Sequence, residues 1–411
     1  MNSNTPTPDA SSPTPPVKRR VFLKTAAAGL SLGLGGWLFL QQRDVPVMAP
    51  SIGGLPVRNH ASVLADPAAV QAIADLKIRT LAEMDRLPWF KRDGDGMLVL
   101  REEAGVPESI DIHAHVGWRH GLGAEIEQTR RCPVSYYYDF TRDQDVLFDQ
   151  IHPAKDEGRS ITFDALTTLV HTSGRNQTHT AANLLAEMTA MKVKQACLLG
   201  IEIPVGSHHA QDTLAAAKMD PRFVPFGGVN PRDWSAEQAA VLQQQLTEDH
   251  IRGIKYHPVF QFIAPDTDDA MKMFEWCAAH DLLVFGHIGY TGGEPGFMRN
   301  ASEPHRLARA LEAFPKLKMV CLHSGVRRID ETLKIAQRFP EQVWLGLSGQ
   351  PVPNIRYILE RYDTERILFG SDWPFYPISV MLARVLTATE GNPALRQRVL
   401  HDNAAKLLQL A

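Results

Sequence analysis

Four apolar runs in this 411-residue chain each finish in a residue able to hold a metal ion, and no other feature constrains the fold as tightly. They are Ser109-Ile-Asp-Ile-His-Ala-His-Val116, Leu282-Leu-Val-Phe-Gly-His287, Lys318-Met-Val-Cys-Leu-His323 and Arg366-Ile-Leu-Phe-Gly-Ser-Asp372. On a β-strand, residues two apart face the same way, so His113 and His115 converge on one point. A lone H-x-H pair is weak evidence, because such pairs are common on surfaces. Four strand-like runs that all end in His or Asp predict a metal site at one end of a parallel barrel.

The rest of the pattern agrees. From Ile110 onward strand-like and helical segments alternate, which argues for a parallel sheet with helices outside it. Strand candidates lie near 110–115, 196–201, 223–229, 252–257, 282–287, 318–323, 343–348 and 366–371. Eight strands close a (β/α)8 TIM barrel, an α/β fold of about 250 residues, and a chain that is 44% hydrophobic can bury such a core. The barrel is therefore placed at 109–411, with a long connection from 116 to 192 after the first strand. Connections of that length commonly form lids or pocket walls. Its Tyr136-Tyr137-Tyr138 run is read first as packing the insertion onto the barrel, and otherwise as part of a pocket.

Residues 51–108 predict a helix-and-hairpin extension. Asp66-Pro67 reads as N-cap and first residue of a helix running to about Leu87. Asp93-Gly-Asp-Gly96 reads as a hairpin turn between Trp89-Phe90 and Met97-Leu-Val-Leu100. A calcium loop is the alternative there, but the downstream carboxylates and the bidentate Glu it needs are missing. With 43 basic and 46 acidic residues the net charge is -3, which provides no field to recruit nucleic acid and points to a small-molecule ligand. The four cysteines show no C-x-x-C spacing. Cys197 and Cys321 sit in apolar runs and are expected to be buried, while Cys132 beside Pro133 is the one expected to reach the surface. Oligomeric state stays open, a homo-oligomer included.

The first fifty residues are set apart from the fold. Residues 1–16 are rich in Pro, Ser, Thr and Asn and too polar to build a core. Arg19-Arg20-Val21-Phe22-Leu23-Lys24, followed by the apolar stretch Ala26 to Leu40, resembles the bacterial twin-arginine export signal, R-R-x-F-L-K. That resemblance implies recognition by the twin-arginine export machinery and delivery to the periplasm. No good A-x-A cleavage site follows Leu40, and Ala49 precedes Pro50. The stretch is shorter than the usual span of ~20 residues, yet its retention as a membrane anchor stays open beside its removal.

From Ile110 to about Ala411 the chain resembles the amidohydrolase-related family of metal-dependent barrel hydrolases, in its aminocarboxymuconate-semialdehyde decarboxylase-like branch. The motifs that carry the resemblance are Asp111-Ile-His-Ala-His115, Asn183-Leu-Leu-Ala-Glu-Met188, Asp220-Pro-Arg-Phe-Val-Pro-Phe226, Arg252-Gly-Ile-Lys-Tyr-His-Pro258, Phe285-Gly-His287, Leu322-His-Ser-Gly325 and Leu368-Phe-Gly-Ser-Asp-Trp-Pro374. The resemblance implies that His113, His115, His287 and Asp372 ligate the metal, and that His323 acts on the substrate or on the metal-bound water. It also raises Lys255, which in binuclear members of the wider superfamily is carboxylated and bridges two metals. One divalent ion, zinc, is the expectation. His257, two residues after Lys255, either contacts substrate or stabilises the turn before Pro258.

Barrel geometry is compatible with that assignment. The eighth strand lies beside the first and the fifth faces them across the mouth, so four side chains can surround one ion and leave a position open. For zinc, a bound water there has a pKa near 7. Asp372 is then placed to orient that water and carry its proton, with His323 as oxyanion partner or general acid or base. Hydrolysis of an amide, ester or lactone is the expected reaction. Non-oxidative decarboxylation of a small carboxylic acid is the alternative, with Arg327-Arg328 as a carboxylate clamp. A non-enzymatic binding protein on an inert barrel has no reason to keep all five residues. The substrate is not legible, because the 116–192 insertion and the loop Gly289 to Phe297 are expected to shape its pocket.

Overall fold

The computed structural model describes residues 52–59, 65–119, 123–150, 174–204, 206–232, 234–290 and 299–410. The export-signal residues Arg19 and Arg20, the stretch 151–173 of the insertion, and 291–298 of the loop after Gly289 lie outside the described residues. Among the described residues no helix is long and apolar enough to cross a membrane.

The chain enters through the helix-and-hairpin extension. Asp66 caps α1 (Pro67–Ala74) by accepting the Ala68 N–H at 2.9 Å, with Pro67 at the first helical position as expected. The helix does not run on to Leu87. Lys77 turns left-handed (φ +49°), and Ile78 is drawn into the insertion, its carbonyl accepting the Val146 N–H at 2.9 Å. Beyond it, Leu81–Arg86 forms a separate 3-10 helix whose Leu81 N–H reaches the Phe140 carbonyl at 3.1 Å. Tertiary pairing has overridden an apolar pattern that locally suits a helix. The hairpin is as expected: β1 (Phe90–Arg92) pairs antiparallel with β2 (Leu98–Leu100) around a turn at Asp93 to Gly96.

Eight further strands form the barrel: β3 (Ser109–Ala114), β4 (Val193–Leu199), β5 (Phe223–Phe226), β6 (Gly253–Tyr256), β7 (Leu283–His287), β8 (Lys318–Leu322), β9 (Val343–Gly346) and β10 (Ile367–Leu368). They run parallel in two ladders, β3-β4-β5 and β6-β7-β8-β9-β10. Gly227 pairs with Ile254 and Ala114 with Trp373, which joins the ladders at both seams and closes the barrel. β10 is shorter than the expected 366–371. Past Leu368 the chain leaves β9 and turns its backbone to β3, where the Ile112 N–H donates to the Phe369 carbonyl at 3.1 Å and the Asp372 N–H to the His113 carbonyl at 2.7 Å. Gly370 permits this approach, since a Cβ there would stand 3.0 Å from that of His113.

Alternation along the strands separates two cores. Ile112, Leu199, Phe226, Phe285, Leu322 and Leu368 belong to the cluster that fills the barrel, joined by Ala404 and Leu408 of the last helix, Asn403–Leu408. That helix is tied to the start of β10, Asn403 donating to the carbonyls of Thr364 and Ile367 at 2.7 and 2.8 Å. It covers the end opposite the His and Asp residues, and the C-terminal mouth is where barrels of this kind take their ligands. Outward residues such as Ile254, Val284, Met319 and Cys321 pack under the helices. Each large apolar side chain so buried contributes about 1.5–3 kcal/mol.

The insertion leads into α2 (Ala181–Ala190) and packs onto the strand ends. The Tyr137 and Tyr138 N–H groups donate to the Pro374 and Phe375 carbonyls at 3.2 and 3.4 Å, and the Tyr137 ring stacks on Phe375 at 4.4 Å between centroids. The tyrosines thus do the packing expected of them. Cys197, Cys277 and Cys321 are buried free thiols, and Cys132 is half-buried.

Candidate metal centre

The site gathers at the mouth. Ile110 and Ile112 join the barrel core, and the register of β3 against β4 shifts between Asp111 and Ala114, the stretch that holds His113; His113 and the following His115 are both buried. Their Nε2 atoms lie 3.1 Å apart. Asp372 Oδ1 is 3.1 Å from His113 Nε2 and 3.4 Å from His115 Nε2. Ligands about 2.0–2.1 Å from one tetrahedral ion stand roughly 3.3–3.4 Å from each other, so these three atoms already have nearly the spacing of a coordination sphere. His113, His323 and Asp372 likewise offer ligand atoms all within 4.8 Å of one another. His287, at the end of β7, has a buried Nε2 without a hydrogen-bond partner. An orphaned buried imidazole nitrogen beside such a cluster fits an ion as its missing partner.

The outer ring nitrogens explain how the imidazoles are aimed. His115 Nδ1 lies 2.7 Å from the Leu199 carbonyl, which can only accept, so Nδ1 carries the proton and Nε2 presents a lone pair. His323 follows the same rule, with Nδ1 3.1 Å from the Ser348 carbonyl. Ser348 Oγ lies 2.8 Å from His113 Nδ1 and 3.2 Å from His323 Nδ1. Burial depresses the proton affinity of these rings, taking His115 to about 3 and His323 to about 4, with His113 and His287 also lowered. They are therefore neutral, and their lone pairs available, at physiological pH. Burial pushes the Asp372 carboxyl up to about 6, opposed by His323 and Lys255.

The β6 residues complete the ring. Lys255 is buried with Nζ 3.1 Å from His113 Nε2, and burial lowers it to about 7 against the pull of Asp372. The His257 ring lies between His287 and Phe260, with centroids 4.1 and 4.2 Å away, and its Nδ1 accepts the Phe260 N–H at 3.4 Å. It thus caps the short helix Pro258–Gln261, which begins at that proline, and does not stabilise a turn before it, and its ring also stacks on His287. Arg328 is engaged elsewhere, with Glu303 at 3.1 Å and Glu331 at 3.4 Å, and does not act as a free clamp.

Several site residues escaped sequence reasoning. Ser348 sits at the end of β9, the same strand-end position as the ligand types, and that position was its signal. Trp118, Phe260 and Phe375 form an aromatic collar, with Trp118 5.6 Å from Phe260 and 6.1 Å from Phe375. Glu187 on α2 accepts Trp373 Nε1 at 2.8 Å and the Ile378 N–H at 3.2 Å, and also bonds the Tyr136 hydroxyl, so the insertion is anchored one residue from Asp372. Burial raises the Glu187 carboxyl above its ordinary range.

A closed parallel barrel with imidazoles and a carboxylate converging at its mouth has the architecture of a barrel enzyme. A family model described as amidohydrolase matches residues 110–410, and the chain belongs to that family. Among solved structures it is similar to the 5-carboxyvanillate decarboxylase of Novosphingobium aromaticivorans complexed with manganese and 4-hydroxy-3-methoxy-5-nitrobenzoic acid, at 16% identity and a TM-score of 0.50, covering 75% of this chain and 98% of that one. It is also similar to the IDCase of Metarhizium anisopliae in apo form, at 15% identity and a TM-score of 0.50, covering 75% of this chain and 99% of that one. At these identities the likeness is one of fold. No curated protein matches the sequence.

Proposed function

We propose that this enzyme is a hydrolase that uses one divalent ion, zinc, held by His113, His115, His287 and Asp372, to cleave an amide, ester or lactone of a small molecule. The observation that carries this reading is the 3.1–3.4 Å spacing of His113 Nε2, His115 Nε2 and Asp372 Oδ1. A three-imidazole, one-carboxylate donor set suits zinc, although manganese is also compatible with it. When bound, such an ion supplies Lewis acidity, polarising a carbonyl oxygen and easing the loss of a proton from water. Asp372 accepts that proton on a carboxylate oxygen and returns it to the leaving group. His323, with its Nδ1 proton committed to Ser348, offers Nε2 as a base. The collar of Trp118, Phe260 and Phe375 excludes water above the centre and favours a flat substrate. Lys255 is read as an unmodified neighbour of a single ion, with a carboxylated, two-metal form as the lesser alternative.

Decarboxylation of an unsaturated or aromatic carboxylic acid is the second reading. It is favoured by that same collar, and by a decarboxylase of similar fold crystallised with a nitrobenzoic acid. Metal-loaded protein is to be assayed against lactones, esters, amides and aromatic acids in 18O-labelled water. Turnover with 18O in the product supports hydrolysis. Release of CO2 with no label in the organic product would replace it with decarboxylation.

For the amino-terminal region the proposal is twin-arginine export to the periplasm, supported by Arg19-Arg20-Val21-Phe22-Leu23-Lys24. Arg19→Lys with Arg20→Lys is expected to retain the protein in the cytoplasm. Normal periplasmic amounts of the double variant would discard that reading.

A further inference from the structure

The strand ends that carry His113 and Asp372 are joined by a carboxylate that ligates nothing. Asp111 lies on β3 two residues before His113 and is fully buried. Its Oδ1 accepts the N–H groups of His113 and Ser371, each at 2.9 Å, and its Oδ2 accepts the Ser371 hydroxyl at 2.5 Å. Ser371 Oγ in turn accepts the Trp373 N–H at 3.0 Å. One carboxylate and one hydroxyl thus hold the backbone on both sides of Asp372, and the backbone of His113 as well.

Asp372 needs holding. Its φ is +61°, a left-handed conformation that is strained for an L-residue and persists where the surroundings over-determine it. Its own N–H is fixed to the His113 carbonyl at 2.7 Å, so any slippage between β3 and β10 moves both candidate ligands at once. Pairing two strands does not by itself call for a buried carboxylate, which desolvation disfavours. Three charge-assisted donors around one residue fix orientation as well as proximity.

We propose that Asp111 is a positioning residue of the metal centre: with Ser371 it locks the end of β3 to the end of β10, so that His113 and the left-handed Asp372 aim their ligand atoms at one point. This rests on the reading of His113, His115, His287 and Asp372 as ligands. The test is made on full-length protein stripped of metal. Zinc affinity is measured by competition with a chromophoric chelator, and the melting temperature of the stripped protein is recorded beside it. Asp111→Ala is expected to weaken zinc binding 10- to 100-fold, the range typical of partners that orient metal ligands, and Ser371→Ala about 10-fold. Asp111→Asn keeps an oxygen for both N–H groups and is expected to bind zinc more tightly than Asp111→Ala. If Asp111→Ala does not fold, Ser371→Ala decides alone. A folded variant with native zinc affinity and only a lower melting temperature overturns the positioning role. Native protein that takes up no zinc overturns the ligand assignment instead, and this proposal falls with it.

Discussion

On the β3–β10 side of the mouth, His113 and His115 each have the outer ring nitrogen tied down, by Ser348 Oγ at 2.8 Å and by the Leu199 carbonyl at 2.7 Å. On the β6–β7 side, His287 Nε2 is buried with no partner, and His257 is kept by stacking and by one long bond from the Phe260 N–H. The first side is pre-organised by protein groups alone. The second leaves a polar atom whose desolvation costs about 1–3 kcal/mol unless something binds it. On the proposed assignment, three of the four ligands, His113, His115 and Asp372, are therefore aimed before an ion binds, and His287 is the one left to be engaged by it.

The largest expected effect falls on the pre-organised side. Asp372→Asn retains an oxygen that can coordinate but cannot take up a proton at neutral pH. Turnover should drop by about 10²–10⁴-fold, the range for loss of a general acid–base group, while metal content falls far less. Metal analysis and turnover measured on the same preparation separate the two effects. Near-native turnover would remove Asp372 from the chemistry and weaken the case for hydrolysis.

The next comparison sets His287, at the end of β7, against His323, just past β8. His287→Ala should lose most of its ion on dialysis, because the orphaned nitrogen is read as a ligand. His323→Asn should keep its ion and lose about 10²-fold in turnover. His323 nevertheless lies with His113 and Asp372 in a group whose ligand atoms are within 4.8 Å. Loss of metal from His323→Asn, with retention in His287→Ala, would exchange their roles. A smaller effect is expected from Ser348→Ala, which takes the hydroxyl from His113 and leaves His323 its carbonyl partner. Zinc affinity should fall about 10-fold. An unchanged value would mean that His113 is aimed by packing alone.

The sequence showed the residues that end strands and concealed those that turn them. His113, His115, His287, His323 and Asp372 were legible because each closes an apolar run, and barrel closure brings such ends together. Ser348 closes the expected strand at 343–348, yet a serine is not a usual metal-ligand type, and its contact with His113 spans 235 residues. Asp111 belongs to the Asp-Ile-His-Ala-His motif, yet a charge between Ile110 and Ile112 signals only a satisfied buried group, and its partner Ser371 lies 260 residues away. The break in the first helix was hidden for a similar reason. Where the chain turns at Lys77, the Ile78 carbonyl accepts the Val146 N–H of the insertion, a long-range contact that local periodicity does not encode.

The smallest expected effect lies beyond both sides, past the end of β4. Glu202 is half-buried, accepts the Ala210 N–H at 2.7 Å, and is pushed by burial up to about 7, opposed by its bonds to Ala210 and Ser207. In α3 (His209–Ala217), Ala210 belongs to the first turn, so this carboxyl serves the helix end rather than the centre. Its ordinary value is 4.5, so between that pH and about 7 the folded protein keeps a proton that the unfolded chain releases. The sign follows from linkage: stability is highest below the lower value and declines as pH rises through the window. With an allowance for partial exposure, the penalty above pH 7 is about 1–2 kcal/mol. Glu202→Gln keeps an oxygen for Ala210 and cannot ionise. In urea unfolding of metal-stripped protein, the variant should exceed the native chain by about 1–2 kcal/mol near pH 8, and the gap should shrink steadily toward pH 4.5. A gap that is constant with pH would mean that Glu202 does not titrate in this window, and that its burial is relieved by water at the mouth.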